Sequence, residues 1–357
     1  MKIGFVFSFP ALTGGHLAVL EIGTRLVRRG HDVVVVYPSR SILSRRNDAL
    51  RVAGRALPDR ALAPLYRRND GELDWFDFPG EVLEVEELEE RFLPELDAVV
   101  ATAWQTAERV ARFGPRTGRH VYFIQHYETW SGPAARVDAT WRAPFVRIAS
   151  SEWLRTLAQE RFGLADVEVV PYGVDLETFH PGPSREPDGA LRVGFLYHVE
   201  PWKGVADALQ AIGEAGASRD LRLVSFGVFP PGRDLPPGTE YHRQPPRSEL
   251  QRLYASLDVF VAASWSETGP MTVPEAMACG TCVVATDVGN VSLWSNGGEG
   301  AVVVPPRRPD LLATALAGVL DDADARRRTA ERGRQLVQRF TWDAAAERFE
   351  EIVGSHL

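Results

Sequence analysis

The chain has 357 residues, 45% of them hydrophobic and 25% charged, with 31 glycines and 25 prolines, enough for two domains of about 150 to 200 residues each. A net charge of −8 argues against a general nucleic-acid binder, which needs a basic face to displace counterions from phosphates. Two cysteines, Cys279 and Cys282, are too few for a disulfide framework, and no run approaches the ~18 apolar residues of a bilayer span, so the expected compartment is a reducing cytoplasm.

From the N-terminus, Ile3 to Ser8 is continuously apolar, Gly14-Gly15 breaks the chain, His16 to Arg29 has helical spacing, and Asp32 to Val36 is Val-rich. That is a βαβ unit, and its apolar strands predict a parallel sheet covered by helices on both faces. Strands are expected at Ala98 to Thr102, His120 to Ile124, Val146 to Ala149 and Val167 to Val170, with helices from Gln105 and over Glu152 to Phe162. Two segments depart from the average composition. Ser39 to Asp70 holds eight arginines and three aspartates, and Glu81 to Asp97 holds eight acids and one arginine. Ile42, Leu43, Leu50, Ala53 and Leu57 recur at roughly helical spacing in the basic segment. It reads either as a solvated helix or as a peripheral surface for an anionic acceptor or the inner face of a membrane.

Pro171 to Gly189 is rich in Pro and Gly, of mixed charge and without periodicity, as an interdomain linker is. The pattern then restarts. Strands are expected at Leu191 to Tyr197, Leu221 to Phe226, Val259 to Ala263, Cys282 to Thr286 and Ala301 to Val304, with helices at Gly204 to Ile212, Ser248 to Ser256 and Pro274 to Ala278. A last helix, Trp342 to Val353, follows Thr341 as its cap.

Chemistry concentrates between Ser264 and Gly289, SWSETGPMTVPEAMACGTCVVATDVG. Glu267 follows a strand, a Gly/Pro loop comes next, and Glu275 falls in the first turn of a helix. Loop amides and a helix start can hold a diphosphate, and carboxylates on either side can accept hydrogen bonds from the hydroxyls of a nucleotide sugar. Gly14-Gly15 sits at a βα turn but matches neither GxGxxG nor GxxxxGK[ST]. The chain has two lysines, Lys2 and Lys203, against thirty-eight arginines, which singles out Lys203.

Glu267 through Gly280, two glutamates separated by seven residues and followed by AMACG, resembles the motif of the family 4 GT-B glycosyltransferases. The resemblance extends to GG…RGHDVVVV near the start, VVPYGVDLETF at the linker, Lys203-Gly204, LYASLDVFVAAS before the first glutamate, and a tryptophan-led last helix. It implies two Rossmann-like α/β domains facing across a cleft: an acceptor domain over 1–171, a linker over 172–189, a donor domain over 190–340, and a C-terminal helix over 341–357 crossing back to the first. It also implies retention at the anomeric carbon, a nucleoside-diphosphate sugar as substrate rather than a cofactor, and no metal.

Carried onto this sequence, the resemblance makes Glu275 the partner of the donor ribose and Glu267 a contact of the donor sugar. Gly15, Gly269, Pro270, Met271 and Thr272 lie near sugar and phosphate, although Pro270 has no amide to give. Lys203 falls where the family binds diphosphate. His198 stands where the family has an arginine, either as a titrating cation that a diphosphate would favour or as a packing residue. His126, after an apolar strand, is assigned to the active site with Lys203 and Glu267, and Gly14, Gly15 and His16 to the acceptor side. His31 is read as structural. Cys279-Gly280-Thr281-Cys282 lacks a second ligand pair, and Asp322-Ala323-Asp324 lies in a charged run between helices; both are read as structural. Trp104, Trp130 and Trp141 could stack on sugar rings or polyketide-like rings or lie in the core, and the core is the expectation for each. The rival readings are a nucleotide-sugar epimerase or phosphorylase on the same fold, and a nucleotide-binding protein without turnover. Base, sugar, acceptor and oligomeric state are not readable from the residues.

Overall fold

The computed structural model describes residues 1–9, 13–39, 73, 75–183 and 189–357; all but the first residue of the basic segment Ser39 to Asp70 lies outside them. The chain divides into two units, Met1–Tyr172 with Trp342–Leu357, and Gly173–Thr341.

Unit 1 is built on a seven-stranded sheet in the order β3-β2-β1-β4-β5-β6-β7. Its strands are β1 (Lys2–Val6), β2 (Asp32–Pro38), β3 (Glu81–Val85), β4 (Ala98–Ala101), β5 (Arg119–Ile124), β6 (Val146–Ala149) and β7 (Val167–Val169). Every pairing is parallel, as continuous apolar strands require when both faces are covered. Helix α1 (Gly14–Arg28) begins at Thr13, whose hydroxyl accepts the His16 amide, and ends before Gly30 in the left-handed region. Helices α2 (Trp104–Val110), α3 (Ala134–Arg142) and α4 (Glu152–Phe162) follow β4, β5 and β6 in turn. β3 falls inside the acidic segment that composition alone left as a charged run. It is an edge strand with mostly exposed side chains, where charge discourages further pairing.

The last helix, Trp342–Gly354, belongs to unit 1. Its buried Phe349 meets Phe5 of β1 and Phe123 of β5 at 5.6 and 5.9 Å between ring centroids, and Trp342 meets Tyr172 at 6.1 Å. Burying a side chain the size of Phe349 contributes about 2–3 kcal/mol.

Unit 2 carries a six-stranded parallel sheet, β10-β9-β8-β11-β12-β13. It comprises β8 (Leu191–Leu196), β9 (Leu221–Gly227), β10 (Glu240–Arg243), β11 (Val259–Ala262), β12 (Cys282–Thr286) and β13 (Val302–Val304). This is the doubly wound order, with its reversal between β8 and β11. The segment expected to be a linker is largely part of unit 2. Val174 and Phe179 are buried, and Val174 forms a parallel bridge with Thr341 and donates its amide to the Phe340 carbonyl at 2.8 Å. Among the described residues no helix is long and apolar enough to cross a membrane.

Candidate functional site

In an open parallel sheet, ligands bind beyond the carboxyl ends of the strands where the order reverses. In unit 2 that point joins the chain leaving β8 to the chain leaving β11. After Leu196, residues Tyr197 to Glu200 lead into a single turn, Pro201–Lys203. Gly204 then adopts φ +67°, and a Cβ there would lie 1.8 Å from the Ala263 carbonyl oxygen. Only glycine fits, so the turn carrying Lys203 presses directly on the backbone leaving β11. The Trp265 amide donates to the Trp202 carbonyl at 2.7 Å across the same seam. Trp265 Nε1 donates to Asp207 at 2.8 Å, in the first turn of the helix Val205–Gly216.

These contacts bring Lys203 and Glu267, 64 residues apart in sequence, into an ion pair from Nζ to Oε1. The two side chains are 23% and 16% exposed, and Ser264 Oγ donates to the same carboxylate oxygen at 3.2 Å. Behind Glu267, Gly289 takes φ +56°, where a Cβ would stand 2.2 Å from the Thr268 carbonyl oxygen. Thr286 Oγ1 donates to the Ser264 carbonyl at 2.6 Å. The loop is thus backed by the end of β12.

Glu275 lies in the first turn of the helix Thr272–Ala278, after Gly269, Pro270 and Met271. Its Oε2 accepts the Tyr254 hydroxyl at 3.0 Å. Tyr254 is buried among Phe179, Phe226 and Phe260, and burial beside Glu275 pushes its phenol well above the usual range. The hydroxyl therefore stays a donor, and it fixes the carboxylate's orientation.

His198 follows β8 at the same end of the sheet. Its ring stands edge-on to Phe229 at 4.7 Å, and its Nδ1 accepts the Glu200 amide at 3.1 Å. Burial, with the Lys203 ammonium nearby, pushes it down to about 4. This surrounding favours the packing reading of the two.

Unit 1 places the other candidates at the carboxyl end of its own sheet. Gly15 opens α1 against Gln125, whose Oε1 would be 2.8 Å from a Cβ at that position. Gln125 itself accepts the Tyr172 hydroxyl at 2.9 Å and donates to the Thr102 carbonyl at 3.0 Å. Gly14 is the first residue of α1, and His16 is buried against Phe7 and Phe9. His126 lies between Trp130 and Trp153. Trp104 and Trp141 are core residues, but Trp130 is 53% exposed, against the expectation of burial. A turn places it outside the sheet's packing faces. Glu128, in the same turn, accepts the Trp104 amide at 2.8 Å, and burial pushes its carboxyl up to about 7.

The remaining candidates have structural roles. His31 contacts Glu350 of the last helix at 3.0 Å. Cys279 and Cys282 are buried free thiols; desolvation raises Cys279 strongly and Cys282 to about 12, far from reactive thiolates. Asp322 accepts the amides of Asp324 and Ala325 as a helix cap, and Asp324 pairs with Arg327. Ser264, Tyr254, Gln125, Gly289 and Trp153 were not singled out by sequence. Gly289 alone left a signal there, as a turn glycine after a Val-rich strand.

Residues 189–322 match the family described as Glycosyl transferases group 1. This stretch of unit 2 is a group 1 glycosyl transferase domain. It contains Lys203, Glu267 and Glu275. The chain is 28% identical over 218 residues to a D-inositol 3-phosphate glycosyltransferase of Corynebacterium glutamicum, covering 54% of this chain and 52% of that protein. It is 32% identical over 210 residues to a D-inositol 3-phosphate glycosyltransferase 2 of Catenulispora acidiphila, covering 50% and 48%. The chain thus spans about half the length of the curated relatives it matches. Its fold is similar to that of sucrose-phosphate synthase from Thermosynechococcus elongatus, with TM-score 0.75 at 18% identity over 100% of this chain and 99% of that one. Anabaena HepE in complex with UDP-glucose is similar with TM-score 0.73 at 17% identity over 99% and 100%. The group 1 domain therefore sits in a chain of two parallel-sheet α/β units with the GT-B fold.

Proposed function

We propose that the chain is a glycosyltransferase that moves a sugar from a nucleoside-diphosphate sugar to a hydroxyl acceptor, retaining the anomeric configuration and drawing its cationic stabilisation from Lys203 rather than from a metal. The observation that carries this reading is the Lys203–Glu267 ion pair at the strand-order reversal of the group 1 domain. An ammonium held there by a carboxylate is already in place, and a diphosphate can take over from Glu267 as its partner. As the glycosidic bond breaks, negative charge grows on the diphosphate and Lys203 disperses it. Glu267, released from the lysine, accepts a hydroxyl of the sugar, and Glu275, oriented by Tyr254, accepts the ribose hydroxyls. Gly269, Met271 and Thr272 line the sugar and phosphate end of the loop beside Pro270, and His198 fills its wall against Phe229. In unit 1, Gly14, Gly15 and His16 bind the acceptor, and His126 orients the sugar.

The solved HepE complex makes UDP-glucose the first donor to try, and the names of the curated relatives make inositol 3-phosphate the first acceptor. The test is a thermal-shift panel of UDP, GDP, ADP and dTDP, followed by turnover of the matching sugars with and without acceptor. A ligand at 100 times its Kd stabilises by about 2.7 kcal/mol. One nucleoside diphosphate should raise the melting temperature, and its sugar should be consumed only when acceptor is present. Isomerisation of the donor alone would indicate an epimerase, and binding without turnover a nucleotide-binding protein.

A further inference from the structure

Unit 1 displays two indoles that its own packing does not bury. Trp130 is 53% and Trp153 37% exposed. Single exposed aromatics are ordinary, but these two share a neighbour. The His126 ring lies 4.4 Å from Trp130 and 5.1 Å from Trp153, edge-to-face with both. All three follow the carboxyl ends of the adjacent strands β5 and β6, the side of a parallel sheet where ligands bind.

Both indoles stand on anchored backbone. Trp130 belongs to the turn Thr129–Ser131. Its neighbour Ser131 accepts the Trp104 Nε1 hydrogen at 2.8 Å and donates to the Glu128 carbonyl at 3.0 Å. Gly132 presses on the Trp104 ring so closely that a Cβ would lie 2.2 Å from it. Trp153 sits in the first turn of Glu152–Phe162, where Ser151 caps the helix. The backbone that carries each indole is thus held in place before any ligand arrives, which lowers the entropy cost of binding.

We infer that Trp130 and Trp153, flanking His126, form a platform for a pyranose ring, so that the hydroxyl acceptor is a glycoside or glycan. The negative face of an indole attracts the weakly positive C–H face of a sugar ring, and its cost in side-chain ordering is small. The exposed aromatic surface consists of three rings joined through the histidine at 4.4 and 5.1 Å. That surface is far below the ~800 Å² a side of a stable protein interface. The charges on the same elements do not suit an anionic lipid surface. Glu152 is an acid, Arg155 is paired with it, and Arg136 is paired with Glu108.

The inference rests on the proposed function only in calling the sugar an acceptor; the binding itself is tested apart from turnover. Saturation-transfer NMR would be recorded on the full chain with methyl α-D-glucopyranoside, methyl α-D-mannopyranoside and methyl β-D-galactopyranoside, and separately with UDP. Ring-proton saturation of at least one glycoside is expected, falling about fivefold or more in Trp130→Ala and Trp153→Ala and largely restored in Trp130→Phe, which keeps an aromatic face. Melting temperatures within about 3 °C of wild type verify the fold, and Trp153→Gln replaces the alanine variant if the helix start frays. Absence of saturation for all three glycosides, or saturation unchanged in both indole variants, overturns the inference. So does loss of UDP saturation or of sedimentation with phosphatidylglycerol vesicles as the only effect of the indole variants, which would make the platform a base-stacking or membrane surface. Failure of UDP to bind wild type, with glycosides bound through the indoles, would count against the proposed function and leave the platform standing.

Discussion

Replacing Lys203 by alanine removes the positive charge on which the proposed transfer depends. A unit charge pair at ~4 Å and an effective dielectric of about 20 is worth about 4 kcal/mol before desolvation. Losing one preorganised donor to a developing anion typically costs about 10²–10³ in turnover, so kcat should fall by that factor. Stability should respond much less. The pair is partly solvated, at 23% and 16% exposure, and breaking it should cost about 1–2 kcal/mol, or a few degrees of melting temperature in a chain of this size. Lys203→Arg restores the charge but not the compact point geometry, and should recover part of the rate. The assay is release of nucleoside diphosphate at saturating donor, beside a melting curve for each variant. A folded Lys203→Ala protein turning over within about threefold of wild type would refute the leaving-group role, because a loss that small is under 1 kcal/mol.

Three other substitutions separate positioning from chemistry. Gly204→Ala places a Cβ 1.8 Å from a carbonyl oxygen at φ +67°, so urea titration should show a loss of about 3 kcal/mol or more, with activity falling in parallel. Unchanged stability would mean that the Lys203 turn is not clamped against Ala263. Tyr254→Phe removes the hydroxyl that orients Glu275; a hydrogen bond to a charged group is worth about 1.5–3 kcal/mol, so calorimetry should show the Kd for nucleoside diphosphate rising about tenfold or more. An unaltered Kd would detach Glu275 from nucleotide binding. His198 protonates near 6.5 when unfolded and near 4 when folded, so the unfolded chain binds more protons between those values. Its contribution is fully present above pH 6.5 and lost as pH falls towards 4, at most about 3 kcal/mol. Denaturation at pH 7 and 4.5 should show wild type losing more stability than His198→Asn, and parallel losses would contradict a neutral buried imidazole.

Much of the fold was legible because it rests on apolar strands. Val33 to Val36, Val121 to Ile124 and Val283 to Ala285 are buried on both faces, and such runs announce a parallel sheet without help from tertiary context. The edge strands Glu81–Val85 and Glu240–Arg243 were not legible, since their charged residues serve solvent and discourage further pairing. In the site, the Glu267-to-Glu275 spacing and the rare Lys203 stood out in one dimension. Their partners did not. The Lys203–Glu267 pair spans 64 residues, Tyr254 reaches Glu275 across 21, and Trp265 reaches Asp207 across 58. Such pairings are fixed by strand order, which periodicity does not reveal. His198 was ambiguous for a related reason: its charge depends on the Phe229 ring and the Lys203 ammonium around it, not on its place in a motif.

The bridge between Val174 and Thr341 bears on how the chain acquires its structure during synthesis. Unit 2 is one uninterrupted stretch whose two ends lie side by side, so it can close as soon as residue 341 has emerged. Unit 1 emerges first yet completes last, because Phe5 and Phe123 wait for Phe349 to cover them. The usual order, in which the N-terminal domain matures ahead of its successor, is therefore reversed for its final step. A ribosome-stalled chain lacking the last helix would have a finished unit 2 and, on unit 1, an apolar opening over Phe5 and Phe123. That opening is where a holding chaperone would find its grip.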